Sequence, residues 1–134
     1  MKALIAAALL IGSSQAQAVT VESASGDWSS IPLLKSRGET LTLNVVERIY
    51  KLVESGTCSI EGQSKHKLDM TVPFLVHYAK NGAADRIVIA KIGCAEAESV
   101  IGGALAVLVD RGQYRATGEN QTGWYRSQVS FSYS

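Results

Sequence analysis

Two stretches of the chain place apolar residues along one side of a helix. Between Leu43 and Glu54 the apolar side chains recur every three or four residues, which is the period of an amphipathic helix. Asn44 followed by Glu47 offers a capping pair, and Gly56 stands where a helix commonly ends. The pattern therefore predicts a first helix over 43–54.

A second helical pattern runs over 95–111. Glu96 and Glu98 lie near its start, where the helix dipole favours acidic side chains. Gly102 and Gly103, in its middle, each cost about 1 kcal/mol relative to alanine. Close packing on a sheet would explain this choice, so we interpret 95–111 as the helix that covers the sheet.

Strand-like patterns occupy 69–78, where apolar and polar residues alternate, and 86–93, which is rich in Ile and Val. Asn81-Gly82 between them is a strong hairpin signal, so the two strands are predicted to pair antiparallel. Pro73 cannot donate to a sheet hydrogen bond. The first strand is therefore expected either to lie at an edge or to turn the proline nitrogen away from any neighbour.

A third alternating stretch predicts a half-exposed final strand over 124–133. The order of elements indicates a single α+β domain over 41–134, built on a three-stranded antiparallel sheet (β-β-α-β) with a helix before it. Residues 19–40 show no period and are interpreted as an extended lead-in with little regular structure.

The first 18 residues have the pattern of an export signal. Lys2 precedes a short apolar run, and Ala16-Gln17-Ala18 forms a cleavage site of the A-x-A type. The apolar run is too short for a bilayer, which needs about 20 residues. We expect an exported protein, cleaved after Ala18, with no integral membrane span.

Export changes the interpretation of the two cysteines, Cys58 and Cys94. An even number of cysteines in an oxidising compartment indicates a disulfide, and only one pairing exists. A loop of this length would stabilise the fold by about 3 to 4 kcal/mol in the chain-entropy model. A redox role would require a C-x-x-C pair, which the sequence lacks.

Composition and charge narrow the classes of partner. The chain is 46% hydrophobic and 19% charged, as in an ordinary globular protein, with 13 basic and 12 acidic residues. Loss of Lys2 with the signal would leave the charges balanced. Nucleic acids and anionic membranes require a concentrated basic surface, so neither is expected as a partner.

Few residues in the sequence are candidates for catalysis or for binding a metal or cofactor. The histidines are His66, in a turn-like basic cluster, and His77, on the less apolar face of a predicted strand. A zinc site formed by these histidines and the cysteines would lack the usual ligand spacing, and no phosphate-binding loop is present. We therefore predict no cofactor, no metal and no catalytic residue. A small secreted hydrolase or inhibitor that uses His77 or a carboxylate is kept as an alternative.

The final strand is the most suggestive surface. Trp124, Arg126 and Gln128 share its polar face, and aromatic residues with arginine are frequent in interaction surfaces. A partner strand could pair along this strand, its main chain giving affinity and its side chains selectivity. A second copy of the chain is an alternative occupant, which would make the protein a self-associating structural component.

The sequence over 58–133 resembles the C-terminal domain of TonB, the periplasmic end of the energy transducer that engages outer-membrane receptors. The residues that carry the resemblance are Ile60-Glu61-Gly62-Gln63, Val72-Pro73-Phe74-Leu75-Val76, Asn81-Gly82, Arg86-Ile87-Val88-Ile89, Ala104, Leu108, Gly112-Gln113-Tyr114-Arg115 and Val129-Ser130-Phe131.

The resemblance implies a β-β-α-β fold and a periplasmic protein without enzymatic activity. It also implies that Gln63 lies near the place where a short segment of the receptor adds as a strand. Energy transduction needs a retained membrane anchor and a long Pro-rich spacer, and the sequence shows neither. We therefore expect a free-standing module that binds an envelope protein or peptide, for example one of the outer membrane, through Gln63, Trp124, Arg126 and Gln128.

Overall fold

Two helices pack on one face of a four-stranded sheet in the computed structural model, which describes residues 19–34, 41–111 and 122–134. Neither helix in these ranges has the length and apolar character needed to cross a membrane. In chain order the elements are β1 (Thr20–Ala24), α1 (Leu43–Glu54), β2 (Leu68–Tyr78), β3 (Ala84–Ala90), α2 (Ala95–Asp110) and β4 (Gly123–Tyr133).

The α+β class is confirmed, but the prediction of three antiparallel strands is wrong. The strand order is β1-β3-β2-β4, with β2 antiparallel to both neighbours and β1 parallel to β3. The additional strand comes from the predicted lead-in over 19–40, of which 35–40 lie outside the described residues. β1 has only five residues and is mostly exposed, so no alternating pattern marks it. Its main-chain hydrogen bonds are made with β3, which lies more than 60 positions further along the chain.

Both helices lie close to their predicted positions. α1 begins and ends as expected, but its capping residue is Thr42 instead of Asn44. The Thr42 Oγ1 accepts a hydrogen bond from the Val45 N–H at 3.4 Å. Thr42 has the extended backbone of a capping residue, whereas Asn44 already lies within the first turn. The left-handed φ of +83° at Gly56 follows the last turn, as predicted.

The core lies between the helices and the sheet face formed by every second strand residue. On β2 these residues are the even-numbered ones, and the register aligns Phe74 with Ile89 and Val76 with Ile87. α2 packs against β1 and β3, while α1 packs against β4 and α2. Fully buried side chains at the centre of this layer are Ile49, Leu68, Val72, Phe74, Val76, Ile87, Ile89, Ile101 and Leu105.

The predicted hairpin is confirmed. Gly82 has a φ of +83°, and the Asn81 side chain accepts a hydrogen bond from the Ala83 N–H at 2.9 Å. β2 is nevertheless a central strand, so the edge position considered for Pro73 is wrong. The β2–β3 pairing begins at Phe74 and stops short of Pro73. Because β3 does not pair with this position, the missing N–H of the proline interrupts no hydrogen bond between β2 and β3.

The two glycines of α2 give a stability prediction. A Cβ at Gly102 would lie 2.4 Å from Cγ1 of Val21, whereas a Cβ at Gly103 would meet nothing within 4 Å. We expect Gly102→Ala to push α2 away from β1 and to cost about 1 to 2 kcal/mol, because overpacking outweighs the gain in helix propensity. Gly103→Ala, the matched control, should stabilise by up to about 1 kcal/mol.

Denaturant unfolding of the two alanine variants would measure this difference. Equal effects on the free energy of unfolding would mean that the approach of β1 to α2 does not require a glycine.

Candidate functional site

After β1 the chain crosses the sheet face opposite the helices, which we call the outer face. Residues 25–34, which we call the strap, connect β1 at one edge of the sheet to β4 at the other. Leu33 forms a parallel bridge with Arg126. The main-chain N–H of Leu34 donates to the Arg126 carbonyl, and the Arg126 N–H donates to the Pro32 carbonyl, both at 2.8 Å. The strap thus occupies part of the free edge of β4.

The Arg126 side chain also holds the strap. Its Nε donates to the carbonyl of Ile31 at 2.7 Å, and the arginine is half-buried. Leu34, the next buried residue along the strap, belongs to the core. Arg126 therefore anchors the crossing chain through its side chain and through both of its peptide groups.

These contacts fix the direction of the β4 peptide groups. The main-chain N–H and carbonyl of Arg126 both point away from β2, and the β2–β4 register has no break. Because the direction of these groups alternates from residue to residue along an antiparallel strand, the N–H and carbonyl groups of Gln128, Ser130 and Ser132 also point away from β2. Within the described ranges, no main-chain partner lies on that side of these residues. We call the three residues the open edge.

The sequence of the open edge lacks the residues that usually protect a strand edge from pairing. Residues 127–134 include no charged residue, no proline and no glycine, although natural edge strands are commonly guarded by such residues. Contacts with the core and with β2 hold the open edge in place. Val129 and Phe131 are buried in the core, and the hydroxyls of Thr71 and Ser130 are hydrogen-bonded at 2.8 Å. A docking strand would meet a rigid template.

A cavity of about 540 Å³ lies on the outer face beside the open edge, between the strap and the sheet. Hydrogen bonds from the Ser29 hydroxyl and main-chain N–H hold the pKa of the Asp27 carboxyl below its usual range. The cavity therefore presents an ionised carboxylate near apolar walls. Its lining includes Asp27, Trp28, Leu33, Pro73, Arg126 and Gln128.

Trp124 lies at the opposite end of β4 from the open edge. Its ring centroid is 4.9 Å from that of His77, and the guanidinium carbon of Arg86 lies 4.9 Å from it. Arg86 forms an ion pair with Glu22 of β1. Contacts across the outer face therefore connect β1, β3, β2 and β4 at this end of the sheet.

His77 acquires a carboxylate partner that the sequence pattern did not indicate. Its Nδ1 lies 2.7 Å from Oδ1 of Asp85, and the β-bulge after His77 displaces the register there. An oriented histidine is one requirement for general base catalysis. His77 does not line the cavity beside the open edge, so this pair and that cavity do not form one site.

Gln63 has a local partner. Its side-chain Nε2 donates to the Asp69 carbonyl at 2.9 Å, and its Oε1 accepts from the Asp69 N–H at 2.7 Å. The main-chain N–H and carbonyl of Asp69 point to the side of β2 on which β3 lies, because the direction of these groups alternates along the strand. The pairing with β3 does not extend as far as Asp69. Gln63 thus takes the place of a missing strand, and β2 and β4 separate it from the open edge.

The predicted disulfide between Cys58 and Cys94 is present. The two Cα atoms are 5.4 Å apart, and both residues are buried. The two sulfur atoms and a carboxylate oxygen of Glu96 lie within 4.8 Å of one another. Because the sulfurs are bonded to each other, neither offers the thiolate that a metal ion requires.

Of the four predicted partner-binding residues, the structure brings Arg126 and Gln128 together beside one cavity. Trp124 and Gln63 lie elsewhere. The strap could not be foreseen as part of this surface, because its residues show no period and its contacts with β4 span more than 90 positions of the chain. The segment Gly112-Gln113-Tyr114-Arg115, which contributes to the resemblance to the TonB domain, lies outside the described residues.

Comparisons of the chain with models of protein families, with curated proteins and with solved structures found no match.

Proposed function

We propose that this protein is a non-enzymatic interaction module of the periplasm that binds an extended segment of an envelope protein by strand addition at the open edge. The observation that carries this proposal is the pairing of the strap with Arg126. There β4 already accepts a neighbouring main chain through two hydrogen bonds of 2.8 Å. The next three outward-facing residues offer the same groups.

The energetics suit a specific but reversible contact. A segment paired antiparallel with Gln128, Ser130 and Ser132 would gain about six main-chain hydrogen bonds. Each contributes about 0.5 to 1.5 kcal/mol net, against the cost of ordering the segment. Main-chain pairing alone recognises any extended chain, so selectivity must come from side chains.

The cavity beside the edge is placed to provide that selectivity. Side chains opposite each other on paired strands point to the same face. The partner residue opposite Gln128 would therefore face the outer side, where Gln128, Leu33 and Trp28 line the cavity. Leu33 is 54% exposed, so a large apolar side chain of the partner would remove it from water.

The periplasmic location rests on the export signal predicted over residues 1–18 and on the disulfide, which oxidising compartments favour. The resemblance to the TonB C-terminal domain supports an envelope partner. Gln63 is not part of this proposal, because its side-chain amide is already bound to Asp69.

Capture from periplasmic and outer-membrane extracts tests the proposal, with the wild-type chain compared with Gln128→Pro. Proline at this position removes an outward-facing N–H and leaves the β2–β4 hydrogen bonds intact. We expect recovery of a specific envelope protein to fall about tenfold or more, because the ring also obstructs the docking chain.

Gln128→Ala keeps the main-chain donor and separates backbone pairing from side-chain contact, so most of the capture should persist. Circular dichroism would verify that both variants fold. Equal capture by the wild type and by Gln128→Pro would exclude strand addition at the open edge.

A further inference from the structure

The strap closes one end of the open edge. Leu33 forms a parallel bridge with Arg126, and the main-chain N–H of Leu34 donates to the Arg126 carbonyl. A strand paired along the open edge therefore finds the next position along β4 already filled. Its chain must leave the sheet, or end, at the residue opposite Gln128.

The direction of pairing decides which end of a partner meets the strap. β4 runs from Gly123 to Tyr133. An antiparallel partner would start beside the end of β4 and bring its carboxyl end to Gln128, whereas a parallel partner would bring its amino end there. Antiparallel pairing is also slightly more stable per residue.

A positive charge lies beside the closed end. The Arg126 side chain is half-buried, and its Nε donates to the Ile31 carbonyl at 2.7 Å. Its terminal nitrogens form no ion pair with an acidic side chain of the described residues. A charge partly removed from water is normally paired, and the fork of guanidinium N–H groups matches a carboxylate. Arg126 therefore favours a carboxylate at this end of the edge and disfavours an ammonium group.

Asp27 is the acidic residue that lines the same cavity. It is exposed, and its Oδ1 accepts a hydrogen bond from the Ser29 N–H at 3.0 Å. It follows β1, whereas Arg126 belongs to β4 at the other edge of the sheet. In the described parts of the chain no ion pair joins the two side chains, so Asp27 does not take the place of an incoming carboxylate.

We propose that the segment bound at the open edge is the carboxyl-terminal end of the partner chain, paired antiparallel with its last residue opposite Gln128. The α-carboxylate would accept a hydrogen bond from the Gln128 main-chain N–H and face the Arg126 guanidinium. The last side chain would enter the cavity beside Leu33. This inference rests on the proposed function, because it names the part of the envelope protein that occupies the edge.

Two display libraries of random short segments test the inference against the exported chain. In one library the segments form the carboxyl terminus of a carrier protein, and in the other the same segments are followed by further carrier chain. We expect binders from the terminal library alone, and they should not bind Gln128→Pro. A synthetic peptide of the best binder should bind about tenfold or more weakly as its carboxyl-terminal amide than as the free acid, because a charged acceptor forms the stronger bond.

Two substitutions of opposite sign test the charges in the cavity. Arg126→Gln removes the positive charge, and its amide can still donate to the Ile31 carbonyl. The readout is the ratio of the affinities for the acid and the amide peptide, which loosening of the strap alone would not change. We expect this ratio to fall severalfold in Arg126→Gln and to rise in Asp27→Asn, which removes the negative charge from the same cavity.

The outcomes separate this inference from the proposed function. Equal binding by both libraries, lost in Gln128→Pro, would overturn recognition of the carboxyl terminus and leave strand addition intact. An unchanged acid-to-amide ratio in Arg126→Gln would overturn the role of the guanidinium. No binder in either library, or binders that Gln128→Pro does not affect, would overturn strand addition at the open edge and this inference with it.

Discussion

Replacing Cys58 by serine should lower the free energy of unfolding by about 3 to 4 kcal/mol and the Tm by about 10 to 20 °C. The disulfide joins residues 36 positions apart, so its loss frees a long loop in the unfolded chain. It also joins the segment after α1 to Cys94, the residue that immediately precedes α2. The native state therefore loses a direct connection between the two helical elements.

Thermal unfolding of the oxidised proteins measures this effect. Cys94→Ser should match Cys58→Ser, because either change removes the same bond. Reduced wild type provides a control that involves no substitution and should unfold near the same temperature as the variants. An unchanged Tm in both variants would show that the disulfide makes no contribution to stability.

Local sequence patterns predicted the two helices and the β2–β3 hairpin because their signals lie within a few residues. α1 has a clear apolar period, and Asn81-Gly82 marks the turn. β1 has no such signal. Its five residues pair with β3 across more than 60 positions, and a single strand of this length carries too few apolar residues to show a period.

The candidate site could be predicted only in part for the same reason. The alternation over 124–133 correctly placed Arg126 and Gln128 on the outer face. It could not show that the strap would bind Arg126, or that the open edge would start two residues further on. The direction of each peptide group became clear only from that long-range contact.

His77 illustrates the same limit. The sequence placed it on the less apolar face of a strand, which is where it lies, with Trp124 beside it. Its partner Asp85 belongs to the other strand of the hairpin, next to the bulge. A bulge changes which residues are opposite each other, and no residue pattern in the hairpin specified one here.

Glu98→Ala should cost about 2 to 3 kcal/mol of stability, an effect almost as large as that of the disulfide. Glu98 is only 7% exposed, and its Oε2 accepts a hydrogen bond from the Ile92 N–H at 2.9 Å. Alanine would remove a bond to a charged acceptor and leave the Ile92 N–H without that partner. The small gain in helix propensity cannot offset this loss.

Glu98→Gln is the matched control, because its amide oxygen can still accept from Ile92. We expect it to retain roughly half of the stability that alanine loses, since a neutral acceptor forms a weaker bond. Urea unfolding of both variants gives the two free energies, and hydrogen exchange at Ile92 reports the bond directly. Identical losses for alanine and glutamine would mean that the acceptor at position 98 contributes little.

The effects of Glu98 and the disulfide should not be additive. Glu98 holds Ile92 and the disulfide holds Cys94, so both fix the short segment that leads from β3 into α2. Cys94 makes no side-chain capping bond, so no cap supplements these two contacts at the start of the helix. Once the disulfide is absent, the segment loosens and the Glu98 bond orders it less effectively.

We therefore expect the Cys58→Ser/Glu98→Ala double variant to lose less free energy of unfolding than the sum of the single losses, by about 0.5 kcal/mol or more. Strict additivity in a double-mutant cycle would show that the two contacts stabilise separate parts of the fold.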